Sequence, residues 1–395
     1  MTSSSRSSAP DALSRLCLAA LAAASLAISG CGPKDGSSQY ADASSAFASR
    51  DYRRAASLFA KSLELSPANV DSLVMLARSN LALGEIAEAA KAVGEAYELA
   101  GGDSDVLDLY GQVAYHAKKY DVARAAYAKL AGKGAADAVR SRGLCGMAVV
   151  DMAGIIGSGA SAEERAATAR AELLESVRLD ARNACARYHL GRLYRDAFGY
   201  TEAALDQFEI YVRLETQAVD RVQSVQRKII PELRDTIARA TAQRPGVDRR
   251  DSAASASALK KAEEAWRKGT FKTAKLRYND AYAADVLSYP AALGLAKSWE
   301  KTDPSNAGLG EALKYYKIAS QLRPSSRDTL MLVGDLAAKL GKHTTAVEAY
   351  SRAVAARPGD ISAIDGLIRA LRKCGRPATA AVYQKYREGL PSARR

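Results

Sequence analysis

With only three histidines and five cysteines in 395 residues, the chain has little of the material that builds active sites. His116, His189 and His343 stand far apart, and none has a second ligand at metal-site spacing, so each reads as a structural helix residue. No G-x-S-x-G elbow, phosphate-binding loop or Cys/His pair credible as nucleophile and base stands out. The glycine-rich GIIGSGAS (154–161) follows no strand pattern and so lacks the context of a nucleotide cradle. Acidic residues are scattered, and no carboxylate pair stands out for glycoside cleavage. The expectation is a chain that is not an enzyme, with no cofactor and no metal.

Phe and Trp are also few, at five and two, and β-branched residues are dispersed rather than clustered. Alanine is abundant instead, which favours helices packed closely through small side chains. The formal net charge is +13, and excluding residues 1–30 removes Arg6, Arg15 and Asp11, leaving about +12. That excess suits anionic lipid, acidic polymers or acidic partner surfaces. No nucleic-acid-binding signature accompanies it, so no nucleic-acid partner is expected.

Long apolar runs are missing except at residues 16–28, a stretch too short to anchor stably across a bilayer. Preceded by Arg6 and Arg15, it has the shape of a secretory leader. The run ends in LAAASLAISGCGPKDGSS (21–38), where Ile28, Ser29, Gly30 and Cys31 resemble the bacterial lipobox. The resemblance implies cleavage after residue 30 and acylation of Cys31. Each buried CH₂ contributes about 0.8 kcal/mol, so several chains on one cysteine hold a protein to a membrane without a spanning helix. Residues 31–37 then form the acylated cysteine and a flexible tether, since Gly and Ser stay coil-like. Because Gly32 rather than Asp follows the cysteine, the same resemblance leans towards the outer membrane, with the chain facing the periplasm. Of the other thiols, Cys17 leaves with the leader. Cys145, Cys185 and Cys374 read as small buried hydrophobes, with a Cys145–Cys185 disulfide as the alternative in an oxidising compartment.

Self-comparison yields a period of 34 residues. Ala55, Ala89 and Ala123 keep it, as do Ala312, Ala346 and Ala380, with Tyr316 and Tyr350, Pro324 and Pro358, and Gly341 and Gly375 in step. RDYRRAASLFAKSLELSP (50–67), LGRLYRDAFGYTEAALDQF (190–208) and LGKHTTAVEAYSRAVAARP (340–358) resemble the tetratricopeptide repeat, a pair of antiparallel helices, in pattern as well as in period. The expected fold is an all-α solenoid of stacked helix pairs. Gly191 and Gly334 permit close approach of first helices, while Phe59, Tyr127, Phe208, Tyr278 and Tyr350 fill the space between units. Pro67, Pro324 and Pro358 stop second helices. The expected division is a leader (1–30), a tether (31–37), a repeat block (38–215) with an irregular unit near 144–180, a basic helical connector (216–253) bent at Pro231, a second block (254–391) and a tail (392–395). Continuous stacking and hinging of the two blocks both remain open.

In this family the first-helix side chains line a concave groove that holds partners. Carried onto this sequence, the groove comprises Arg78, then Asp108, Gln112 and Tyr115, then Tyr188, Arg192 and Arg195, and near the C-terminus Arg369, Arg372 and Lys373. Guanidinium groups beside tyrosines suit an acidic peptide or an anionic polymer. Arg78 with Asn80 does not reproduce the family's chaperone-tail clamp. The resemblance therefore implies a lipid-anchored scaffold for protein partners at the cell envelope, in assembly or export of an outer-membrane protein, a pilus or a polysaccharide. The alternative is a non-catalytic accessory subunit of a glycan-modifying or secretion enzyme complex. Cys31→Ala is expected to abolish labelling by a fatty-acid analogue and to shift the protein out of the membrane fraction; undiminished labelling would refute the anchor.

Overall fold

The computed structural model describes residues 37–132, 134–154, 160–216 and 218–390. Cys31, the leader and residues 391–395 lie outside the described residues, as does most of GIIGSGAS. The described chain is helical with no strand, and its helices follow one another as antiparallel pairs. No helix among the described residues is long and apolar enough to cross a membrane. Contacts divide the chain into two compact units, one up to Ala100 and one from Gly101 onward.

The first unit has helices Ser37–Ala48, Tyr52–Leu65, Val70–Leu83 and Ile86–Ala100. Ser37 and Ser38, expected in or beside the tether, form the first helical turn instead. Asx side chains start the next helices: Asp51 accepts from the Arg54 amide at 3.2 Å and Asn69 from the Ser72 amide at 2.8 Å. Gly84, left-handed at φ 78°, ends the third helix. The contacts are made by small residues, with Ala43, Ala55, Ala77 and Ala89 fully buried and Phe59 packed edge-on to Tyr40.

The second unit continues the pattern, and Pro324 and Pro358 each fall two residues past a helix end, as Pro67 does in the first unit. Its packing rests on aromatic rings seated against glycines. Tyr350 lies between Gly334 of its own pair and Gly366 of the next, where an added Cβ would sit 2.7 Å and 2.5 Å from the ring. Tyr127 likewise faces both Gly111 and Gly146, Tyr278 faces Gly294, and Phe208 lies against Gly191. The Tyr350 hydroxyl donates to Asp335 at 2.6 Å, which fixes the ring's tilt.

Residues 219–242 form one helical run, Val219–Ser224 and Ile230–Ala242, joined by a π-helical turn at Val225–Ile229. Pro231 falls in the first turn after that wide turn, so the ladder re-registers where the proline has no N–H to give. Val225, Ile230 and Leu233 bury themselves with Leu190, Tyr194 and Phe208, and Arg234 reaches Glu209 at 2.7 Å. One face of this connector is therefore buried in the core, while most of its residues remain exposed.

The C-terminal pairs return to the middle of the unit: helix Pro377–Gly389 packs on helix Ala160–Leu179, and His343–Ala356 meets Thr201–Leu214. Arg170 stands in that seam, 1% exposed, its guanidinium 4.7 Å from the Phe198 ring centroid and 4.8 Å from that of Tyr383. It also donates to Ser351 at 3.3 Å. Arg376–Glu163 closes the rim at 3.2 Å. The open question of stacking or hinging thus has a third answer, in which late repeats dock side-on against earlier ones.

The ring-on-glycine contact makes a signed prediction. Gly366→Ala is expected to destabilise by about 1–3 kcal/mol through overpacking. Gly310→Ala, where nothing lies within 4 Å of the new methyl, is expected to stabilise its helix by roughly 0.5–1 kcal/mol. Urea denaturation of both variants checks this, and equal effects would contradict the contact.

Candidate functional site

Three successive first helices turn one face each towards a cleft of about 530 Å³. Helix Ser104–His116 contributes Asp108, Gln112 and Tyr115; Asp137–Ala153 contributes Arg142, Cys145, Gly146 and Val149; Ala184–Leu193 contributes Cys185, Tyr188, His189 and Arg192. The spacings of three, four and seven are those of a single helical stripe, which is why side chains distant in sequence share a wall. Arg221, from Val219–Ser224, completes the rim.

The cleft is basic, with Arg142, Arg192 and Arg221 against Asp108. Arg142 is shared between Asp105 at 2.9 Å and Asp108 at 3.5 Å. Arg192 stands 3.9 Å from Asp196, too long for a firm pair. The Arg221 guanidinium lies 5.2 Å from the Tyr188 ring centroid, and Tyr188 in turn tilts against Tyr211 at 5.1 Å. These contacts hold an aromatic and a cation side by side at the surface. Behind them, burial first and then Asp108 push the Tyr127 hydroxyl well above the ordinary phenol range, so it remains a neutral wedge.

Of the ten groove residues expected from sequence, five meet here: Asp108, Gln112, Tyr115, Tyr188 and Arg192. Arg195 lies on Asp196 at 2.6 Å and does not line the cleft. Arg369, Arg372 and Lys373 are exposed on helix Ile361–Lys373, apart from this cleft, and Arg78 is exposed in the first unit. Arg142 and Arg221 were missed. Arg142 could have been found by extending the stripe into the irregular unit, whereas Arg221 belongs to no repeat.

The sequence also offered no credible Cys/His pair, yet Cys185 and His189 adjoin one turn apart. His189 Nδ1 has no hydrogen-bond partner among the described residues. No three His, Cys, Asp or Glu side chains among the described residues converge to hold a metal ion.

Elsewhere in this unit Arg124 bridges Asp151 at 3.1 Å and Glu172 at 3.2 Å. Burial, then the Asp151 charge, push Glu172 up from 4.5 to about 7, against the pull of Arg124. The folded protein therefore keeps a proton that the unfolded chain has lost between those two values, and stability falls as pH rises through that window. Glu172→Gln is expected to match wild type near pH 4.5 and to exceed it by on the order of 3 kcal/mol at pH 8. Chemical denaturation at both pH values decides it, and a pH-independent difference would count against the buried carboxyl.

Residues 46–113 and residues 306–361 each match a tetratricopeptide-repeat family model. With the helix pairs and ring-on-glycine packing above, the chain is a tetratricopeptide-repeat protein, and the repeats form a protein-interaction scaffold. Similar solved structures include Pseudomonas aeruginosa pilF, at 16% identity over 53% of this chain and 94% of that one, with a TM-score of 0.39. Others are MamA (17% identity, 52% and 89% coverage, TM-score 0.30) and the P58(IPK) TPR domain (15%, 87% and 99%, TM-score 0.29). Likenesses of this degree indicate neither a site nor a partner. No curated protein matches the sequence.

Proposed function

We propose that this protein is a scaffold of the bacterial cell envelope, tethered by lipid on Cys31, whose basic cleft receives an acidic segment of a protein partner during assembly or export of an envelope component. The observation that carries the reading is the convergence of Asp108, Gln112, Tyr115, Tyr188 and Arg192 with Arg142 and Arg221 around one cleft. Arginines beside tyrosine faces accept carboxylates bidentately and stack on planar groups. A cleft of about 530 Å³ on helix faces suits a short segment better than a flat protein surface. The lipobox-like LAISGC supplies the anchor, and Gly32 favours the outer membrane.

Arg192→Glu combined with Arg221→Glu tests the cleft. The helical circular dichroism signal is expected to stay unchanged, while partners co-purified from the envelope fraction lose affinity by about tenfold or more, corresponding to roughly 1.4 kcal/mol or more. The loss is expected to shrink as salt rises, since screening weakens the wild-type attraction. Retention of every partner at unchanged affinity across that salt range would exclude this cleft as the site.

A further inference from the structure

In the cleft, Cys145 and Cys185 meet across two successive first helices, 40 residues apart in sequence, with their sulfurs 2.9 Å apart. We propose that these two cysteines form a reversible intramolecular disulfide that staples helix Asp137–Ala153 to helix Ala184–Leu193 across the cleft floor. The inference is independent of what the cleft binds.

Three features favour closure. The sulfurs are already less than about 1 Å beyond bonding distance. The two thiols differ in access: Cys145 is 2% exposed, while Cys185 is open to solvent in the first turn of its helix. A donor disulfide can therefore reach only one of them. They also differ in protonation. The Cys145 thiol donates to Cys185, and with His189 and Arg221 beside it this holds Cys185 well below the usual thiol range. The same hydrogen bond, together with burial, keeps Cys145 protonated. Cys185 is thus the nucleophile and Cys145 the resolving thiol. A soft-metal site is the competing use of Cys145, Cys185 and His189, but the three do not converge at ligand geometry. Cys374, beyond the end of helix Ile361–Lys373, lies outside the cleft.

The chemistry is thiol–disulfide exchange with a disulfide donor such as oxidised glutathione. The Cys185 thiolate attacks one donor sulfur, the donor S–S bond breaks, and one donor thiolate leaves. Cys145 loses its proton and attacks Cys185 Sγ, which expels the second donor thiolate as the new S–S bond forms. Two electrons pass from the protein to the donor, which ends as two thiols.

The test uses the folded full chain equilibrated with excess oxidised glutathione, quenched by maleimide under denaturing conditions and digested with trypsin. The expected product links residues 143–165 to residues 183–187, with Cys374 recovered as a maleimide adduct. Recovery of both peptides as separate adducts, or a link from either one to Cys374, overturns the proposal. Cys145→Ser is expected to accumulate glutathione on Cys185, and Cys185→Ser to leave Cys145 unmodified on the same timescale. The reverse pattern would overturn the assignment of nucleophile, and the wild-type linkage stands as a test even where a variant folds poorly.

Discussion

An aromatic ring seated against a glycine on the neighbouring helix sets the geometry on which the other features depend. Where Tyr350 sits between Gly334 and Gly366, and Tyr127 between Gly111 and Gly146, the ring takes the space a side chain would otherwise fill. Consecutive first helices come close enough for one another's faces to form a continuous wall. The cleft exists because of that approach: Asp108, Cys145 and Cys185 occupy three different first helices, and Tyr127 is the wedge that spaces the first two. No single pair buries its apolar face, so stability is distributed over these interfaces.

The side-on docking of late repeats against earlier ones uses a different device. Arg170 remains charged, and taking it out of water costs several kcal/mol unless partners compensate. Phe198 and Tyr383 present ring faces and Ser351 an oxygen, while Nε and Nη1 have no hydrogen-bond partner among the described residues. Such a contact favours one docking arrangement, because sliding the helices would leave the guanidinium without its rings. The neighbouring Arg124, Asp151 and Glu172 group follows the same logic of burial, with one cation shared by two carboxyls and one of them holding its proton near neutrality.

Within the cleft, charge and reactivity come from the same few residues. Arg221 borders Tyr188 and also stabilises the thiolate of Cys185, so the cleft rim and the sulfur pair share an electrostatic environment. A staple between the two helices would hold that rim in a fixed conformation and lower the ordering cost of binding.

The repeat, the helix stops at Pro67, Pro324 and Pro358, the ring positions and five of the residues that line the cleft were legible in the sequence. All of these are local or nearest-neighbour properties, fixed by a period that recurs every 34 residues. What the period could not reveal lies between residues in no fixed register. Arg170 meets Ser351 across 181 positions, Arg221 enters the cleft from a segment outside the repeats, and Cys145 reaches Cys185 through an irregular unit. Arg195 shows the converse: on the expected face by spacing, it pairs with Asp196 inside a π-helical turn, Tyr194–Phe198, that shifts the register. Small rotations between successive pairs accumulate along a solenoid. Which distant faces finally meet is therefore decided only when the whole chain has folded.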